Sequence, residues 1–275
     1  MPKTKLSFKT FKSCLKKCAF EIVFHFDRIK FYMDSATKIS DIEACQEYAK
    51  QQDISLRSLP HYDTMEYMID VKQPTLEYFK ALNAAMAGEY LICYVEIAMD
   101  ILTKSKIKKD MLDKILRNLL IRQMKSNQQA FPYGIAGDTL YFGKRLSKYP
   151  VMVYYADKKS KLKPDHYCCH IEMRLQDTGI VKAQRLYTFA DLINFEHELF
   201  WEQYLDLRTV NYTKLGRLAT DGNKSDPTFL RNGLKLLNSY KCAQALLNER
   251  PDLLTALSPV TGKRMFEGLL KKEGL

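Results

Sequence analysis

Residues 91–102 read Leu-Ile-Cys-Tyr-Val-Glu-Ile-Ala-Met-Asp-Ile-Leu, the most apolar strand-like stretch of the chain. The run falls short of the roughly 18 residues that a membrane span needs. Its bulky apolar content predicts a central β-strand. Alternate side chains of a strand share a face. Val95, Ile97, Met99 and Ile101 therefore form one apolar face, and Glu96, Ala98 and Asp100 share the other. Two carboxylates on one face of such a strand need partners, because burying them alone is expensive.

Strand and helix signals alternate outward from this run. Residues 21–26 and 28–33 read as one or two strands, and 65–71 as another. Residues 138–144, 151–157 and 167–176 follow one another through short Lys-rich connections, as an antiparallel meander requires. A capping box at Ser40–Glu43 predicts a helix carrying Ile42, Cys45, Tyr48 and Ala49 at helical spacing. Pro74 is expected to open a helix with Leu76, Phe79, Leu82 and Ala85 inward. Residues 108–124 predict an amphipathic helix, with Met111, Leu112, Ile115, Leu119 and Met124 inside and Lys109, Lys114, Arg117 and Arg122 outside. From Phe189 onward the pattern turns helical, and residues 221–227 have linker composition. The expected class is α+β: a mainly antiparallel sheet with helices packed on one face, followed by a small helical segment. The expected division is a domain over 1–207, with a basic N-terminal arm over 1–18, then a basic helical segment over 208–275.

The 275 residues carry 43 Lys+Arg against 32 Asp+Glu, a formal +11 that favours a polyanionic partner. Seven cysteines without metal-site spacing, and no clean leader after the basic N-terminus, predict free thiols in a reducing cytoplasm. Thr261-Gly262-Lys263-Arg264 lacks the earlier glycine and the Ser/Thr of a phosphate-binding loop, so ATP hydrolysis is unsupported. GxGxxG, GxSxG and HExxH are absent.

Strand alternation over 167–176 turns Cys169, Ile171, Met173 and Leu175 inward and His170, Glu172 and Arg174 outward. If this strand neighbours 91–102, then Glu96, Asp100, His170 and Glu172 converge into a set suited to Mg²⁺ or Mn²⁺. The plain alternative is a solvated face on which Arg174 pairs with a carboxylate. The strand 151–157 presents Tyr154 and Tyr155 to opposite faces; a tyrosine on a metal-bearing sheet can attack a phosphodiester, although most strand tyrosines are packing residues. Lys144, Arg145 and Lys148 lie in one connection flanking that strand, and Lys158, Lys159, Lys161 and Lys163 lie in the other. Together with Arg174 they form a candidate phosphate-tracking rim.

Thr139-Leu140-Tyr141-Phe142-Gly143, Ser147, Tyr155-Ala156-Asp157-Lys158 and Ile171-Glu172 resemble the motifs of the replication initiation factor family, over roughly residues 94–176. That family comprises rolling-circle initiators of plasmids, related relaxases and filamentous-phage replication proteins. The resemblance implies a strand-borne tyrosine that nicks one DNA strand at an origin, Tyr155 or Tyr154, with Lys158 in the same motif. It also implies a divalent metal held by ligands drawn from Glu96, Asp100, His170 and Glu172. Ala156 separates the tyrosine from Asp-Lys and leaves the choice of tyrosine open. His170-Ile171-Glu172 stands where the wider endonuclease superfamily has a His-hydrophobic-His pair. The expected function is a rolling-circle replication initiator acting on single- and double-stranded origin DNA; a host helicase and a second copy of the chain are candidate partners. The alternative is a non-catalytic DNA-binding replication accessory. Docking on an anionic membrane is disfavoured, because no helix combines a strong Lys/Arg face with a Trp-anchored apolar one.

Overall fold

The computed structural model describes residues 6–57, 64–122, 132–136, 139–142, 150–155, 158–160, 162–210 and 257–275. Among these, eight strands form one sheet in the order β2-β3-β1-β4-β9-β8-β7-β6. They are β1 (Glu21–Met33), β2 (Ala49–Leu56), β3 (Tyr67–Pro74), β4 (Tyr90–Thr103), β6 (Pro132–Ala136), β7 (Thr139–Phe142), β8 (Val151–Tyr155) and β9 (Tyr167–Leu175). Every pairing is antiparallel. Residues 91–102 fall within β4, which lies between β1 and β9 in the middle of the sheet. A second, three-stranded sheet joins β5 (Leu120–Arg122), β10 (Leu205–Val210) and β11 (Leu257–Pro259).

The helices cover one face. They are α1 (Phe8–Lys17), α2 (Ile39–Ala44), α3 (Leu76–Ala85), α4 (Lys106–Leu119), α5 (Thr178–Ala183), α6 (Phe189–Ile193), α7 (His197–Tyr204) and α8 (Gly262–Lys272). Their buried side chains join the inward row of the strands in one core, which includes Phe26, Ile29, Phe31, Val71, Val95, Ile97, Met99, Ile171 and Met173. Each such side chain contributes roughly 1.5–3 kcal/mol by leaving water. The opposite face of the sheet carries the polar row and has no helix among the residues of that core.

Several expectations need correction. The helix expected from Ser40 is the single turn and a half of α2, entered through Lys38 without a side-chain cap. A 3₁₀ turn follows, and Ala49 already belongs to β2, because an edge position beside β3 satisfies its backbone. The capping box among the described helices that closes in both directions is Thr188–Asp191, at α6. Pro74 ends β3, and Thr75 caps α3 by accepting from the Tyr78 amide. Helix α4 begins at Lys106 and stops at Leu119, since the next three residues pair with β10. Lys109, expected outside, is buried. Residues 21–33, expected as one or two strands, form one strand, with register shifts against β4 between Phe26 and Arg28 and between Lys30 and Phe31. Helix α8 packs on α1 through Phe266 and Phe11, whose ring centres lie 5.4 Å apart. Most of the expected helical segment, residues 211–256, lies outside the described residues.

Candidate active site

Register decides which polar side chains meet. On the β4/β9 ladder His170 lies opposite Asp100, Glu172 opposite Ala98, and Arg174 opposite Glu96. On β8, Tyr155 pairs with His170, so its ring shares the polar face; Tyr154 pairs with Ile171 and enters the core. On β1, His25 lies opposite Ala98. Asp27 is the extra residue at the register shift, and its side chain therefore joins that of Arg28 on the polar face.

These placements build a connected cluster. His170 Nδ1 lies 2.6 Å from Asp100 Oδ1, and its Nε2 lies 3.0 Å from Glu172 Oε2. The Ser160 hydroxyl donates to Asp100 Oδ2 at 2.9 Å, tying the β8–β9 connection onto β4. Lys158 Nζ lies 2.6 Å from Asp27 Oδ2, 2.9 Å from His170 Nε2 and 3.3 Å from Glu172 Oε2. Gln73 donates to the other Asp27 oxygen at 3.0 Å. Arg174 donates through Nη2 to the Tyr155 hydroxyl and through Nε to Glu172 Oε1, both at 2.6 Å. The Tyr155 hydroxyl in turn faces Glu172 Oε1 at 3.2 Å.

Burial makes these pairings consequential. Asp100, His170 and Glu172 are each at most 2% exposed. Burial pushes the Glu172 carboxyl up, but the His170 hydrogen bond and the charges of Lys158, His170 and Arg174 outweigh it and hold Glu172 well below the usual carboxylate range. Asp100 is held down in the same sense, against its burial, by His170 and His25. Burial pushes His170 down, yet Asp100 and Glu172 raise it above the ordinary imidazole value. Glu96 behaves oppositely: burial and the Glu172 charge push it up to about 7, despite the Tyr94 hydroxyl and Arg174.

Two groups of side chains bring ligand-type atoms within 4.8 Å of one another: Asp27, His170 and Glu172, and His25, Asp100 and His170. Of the four expected metal ligands, His170 belongs to both groups, Asp100 to one and Glu172 to the other. Glu96 belongs to neither group and reaches the cluster only through Arg174, 3.4 Å away. His25 and Asp27 escaped the sequence reading. Their signal was a histidine and an aspartate on the polar parity of an otherwise apolar run, and the register shift at Asp27 hid half of it.

Tyr154 is fully buried, and its hydroxyl donates to Asp113 of α4 at 2.6 Å. Burial first, then Asp113 and Cys169, push its phenol well above the ordinary value. Lys158, which strand alternation would put on the Tyr154 side, reaches the Tyr155 side because the chain leaves β8 at Tyr155. Of the expected rim, Lys159 is exposed and Lys163 is paired with Glu21 at 2.6 Å. Lys144, Arg145, Lys148 and Lys161 lie outside the described residues. A cavity of about 380 Å³ beside the cluster is lined by Lys106, Lys109, Lys158, Lys159 and His166, at the start of α4 and of β9.

No protein-family model and no curated protein matches the chain. Among solved structures, a rolling circle replication initiator protein from Geobacillus stearothermophilus aligns with 78% of this chain and 96% of its own, at 16% identity and a TM-score of 0.38.

Proposed function

We propose that this protein is a rolling-circle replication initiator that nicks one strand of origin DNA through Tyr155 and rejoins strands by the reverse step. The observation that carries this reading is the Tyr155 hydroxyl, which ends a strand on the polar sheet face between a guanidinium donor and a carboxylate acceptor, beside a buried Asp/His/Glu group. The motifs that resemble replication initiation factors support it from the sequence.

The chain's own residues divide the work. Glu172 Oε1 faces the phenolic proton, and Arg174 Nη2 donates to the same phenolic oxygen, stabilising the phenolate as the proton leaves. The phenolic proton passes to Glu172 Oε1 as the phenolate oxygen attacks phosphorus, the bond to the 3′ oxygen breaks, and that oxygen leaves as a hydroxyl after taking a proton from water. The 5′ phosphate stays on Tyr155. Because the phosphotyrosine keeps the phosphodiester's energy, a 3′ hydroxyl can attack it and rejoin the strand without ATP. Asp100 fixes the His170 ring through Nδ1, so that Nε2 points toward Glu172 and Asp27.

Asp27, His170 and Glu172 suit a hard divalent cation: two ionised carboxylates and one imidazole nitrogen. Mg²⁺ or Mn²⁺ bound there would polarise a non-bridging phosphate oxygen. Lys159 and the lysine-lined cavity extend positive charge away from Tyr155 along a path for the DNA backbone.

Incubating the protein and Mn²⁺ with a randomised single-stranded library and with supercoiled DNA tests the proposal. It predicts an SDS-resistant protein–DNA adduct whose 5′ phosphate maps to Tyr155 by mass spectrometry. DNA retardation without any adduct would instead establish the non-catalytic accessory.

A further inference from the structure

The Asp27–His170–Glu172 group already holds a cation, and it belongs to the chain. Lys158 Nζ lies between 2.6 and 3.3 Å from one ligand-type atom of each of the three residues. An ammonium so placed is a point charge among the same atoms that a divalent ion would require. We propose that Lys158 is a built-in competitor for the metal: it occupies the cation seat when the metal is absent and must swing out for the metal to enter. This inference rests on the proposed cation site and adds how that site is filled and emptied.

Three observations support an exchange. First, Asp27 is 8% exposed and Lys158 is its ion-pair partner, whereas Glu172 also keeps Arg174; a resident ammonium offsets the cost of the buried Asp27 charge in the metal-free fold. Second, Lys158 arrives from the connection after β8, not from the sheet, and its side chain is 21% exposed, so a long flexible stem can leave without moving a ligand. Third, its Nζ lies 5.0 Å from the centre of the Tyr155 ring. A phosphate on the phenolic oxygen would therefore offer the ammonium an alternative partner near its seat. Metal loading and readiness to hold DNA are thereby linked through one side chain. The other charged groups facing the seat, Arg174 and Asp100, bond the atoms of Glu172 and His170 that point away from Lys158, Oε1 and Nδ1.

The test needs no DNA. Mn²⁺ binding is measured by calorimetry on the full chain and on Lys158→Met, which keeps a stem and removes the charge. If the lysine holds the seat for about nine-tenths of the time, the variant binds Mn²⁺ about tenfold more tightly. A variant that binds no more tightly than the unaltered chain overturns the inference while leaving the metal site standing. Absence of Mn²⁺ binding in both removes the site itself, and the inference with it. A second measurement guards against a variant that fails to fold: amine acylation of Lys158 in the unaltered protein, followed by mass spectrometry. Its rate should rise when Mn²⁺ is added, and an unchanged or lower rate overturns the proposal.

Discussion

The two adjacent tyrosines permit one experiment in which stability and activity should part in opposite directions. Tyr154→Phe removes a hydroxyl that is fully buried and bonded to Asp113 at 2.6 Å. A buried hydrogen bond to a charged group is worth about 1.5–3 kcal/mol, and the loss leaves a carboxylate short of a donor. For a chain of 275 residues that corresponds to a fall in Tm of about 3–5 °C. Nicking should survive, because the side chain faces the core. Tyr155→Phe removes a hydroxyl from a half-exposed position, so stability should change by under about 1 kcal/mol. Arg174 and Glu172 keep each other, and the fold has no need of the phenol. Nicking, however, should fall by at least about 10⁴-fold, since the attacking atom is gone. The assay pairs a thermal melt with adduct formation on single-stranded DNA at matched protein concentration. A Tyr155→Phe protein that still forms the adduct, or a Tyr154→Phe protein that melts normally but cannot form it, refutes the assignment.

Three further outcomes follow from geometry and burial. His197 is packed among Phe24, Phe26 and Phe195, and burial, with the His25 charge, lowers its pKa to about 4. Its neutral form is favoured by the fold, so stability is complete above pH 6.5 and declines as pH falls toward 4, by up to about 3 kcal/mol; His197→Leu should flatten that part of a urea-midpoint profile. Glu96, raised to about 7, has the opposite sign: its contribution is intact below pH 4.5 and lost as pH rises through 7, so Glu96→Gln should out-melt the unaltered chain at pH 8 and not at pH 4. Gly88→Ala would place a methyl 1.9 Å from Asp34 Oδ1, displacing the carboxylate that accepts from the Glu89 amide at 2.8 Å, and should cost about 1–3 kcal/mol by chemical denaturation; an unchanged midpoint would contradict the packing described.

Strand alternation carried the sequence reading furthest. The period of two along β4 and β9 was enough to place Asp100, His170 and Glu172 on one face, and the structure makes those strands neighbours with His170 opposite Asp100. Alternation is local and needs no knowledge of partners, which is why it worked. Which of Tyr154 and Tyr155 shares the polar face with His170 is set by the β8/β9 register, a long-range quantity that no window of sequence contains. The same limit hid β2 and β5. Ala49 and Leu120 directly follow helical turns, and pairing with β3 and β10 overrides their local preference. Lys158 was found by motif and misplaced by parity, because parity ends where the strand does.

The register shift in β1 separates what the protein is from what it does. Asp27 is an insertion relative to the ladder: Phe26 faces inward opposite Ile97, Arg28 faces outward opposite Glu96, and Ile29 turns inward again opposite Val95. Removing Asp27 alone would restore strict alternation and keep Phe26, Arg28 and Ile29 on their present faces. The core would lose nothing, while the cation seat would lose a carboxylate and Lys158 its nearest partner. A single codon thus stands between this sheet as a scaffold and this sheet as a candidate catalyst.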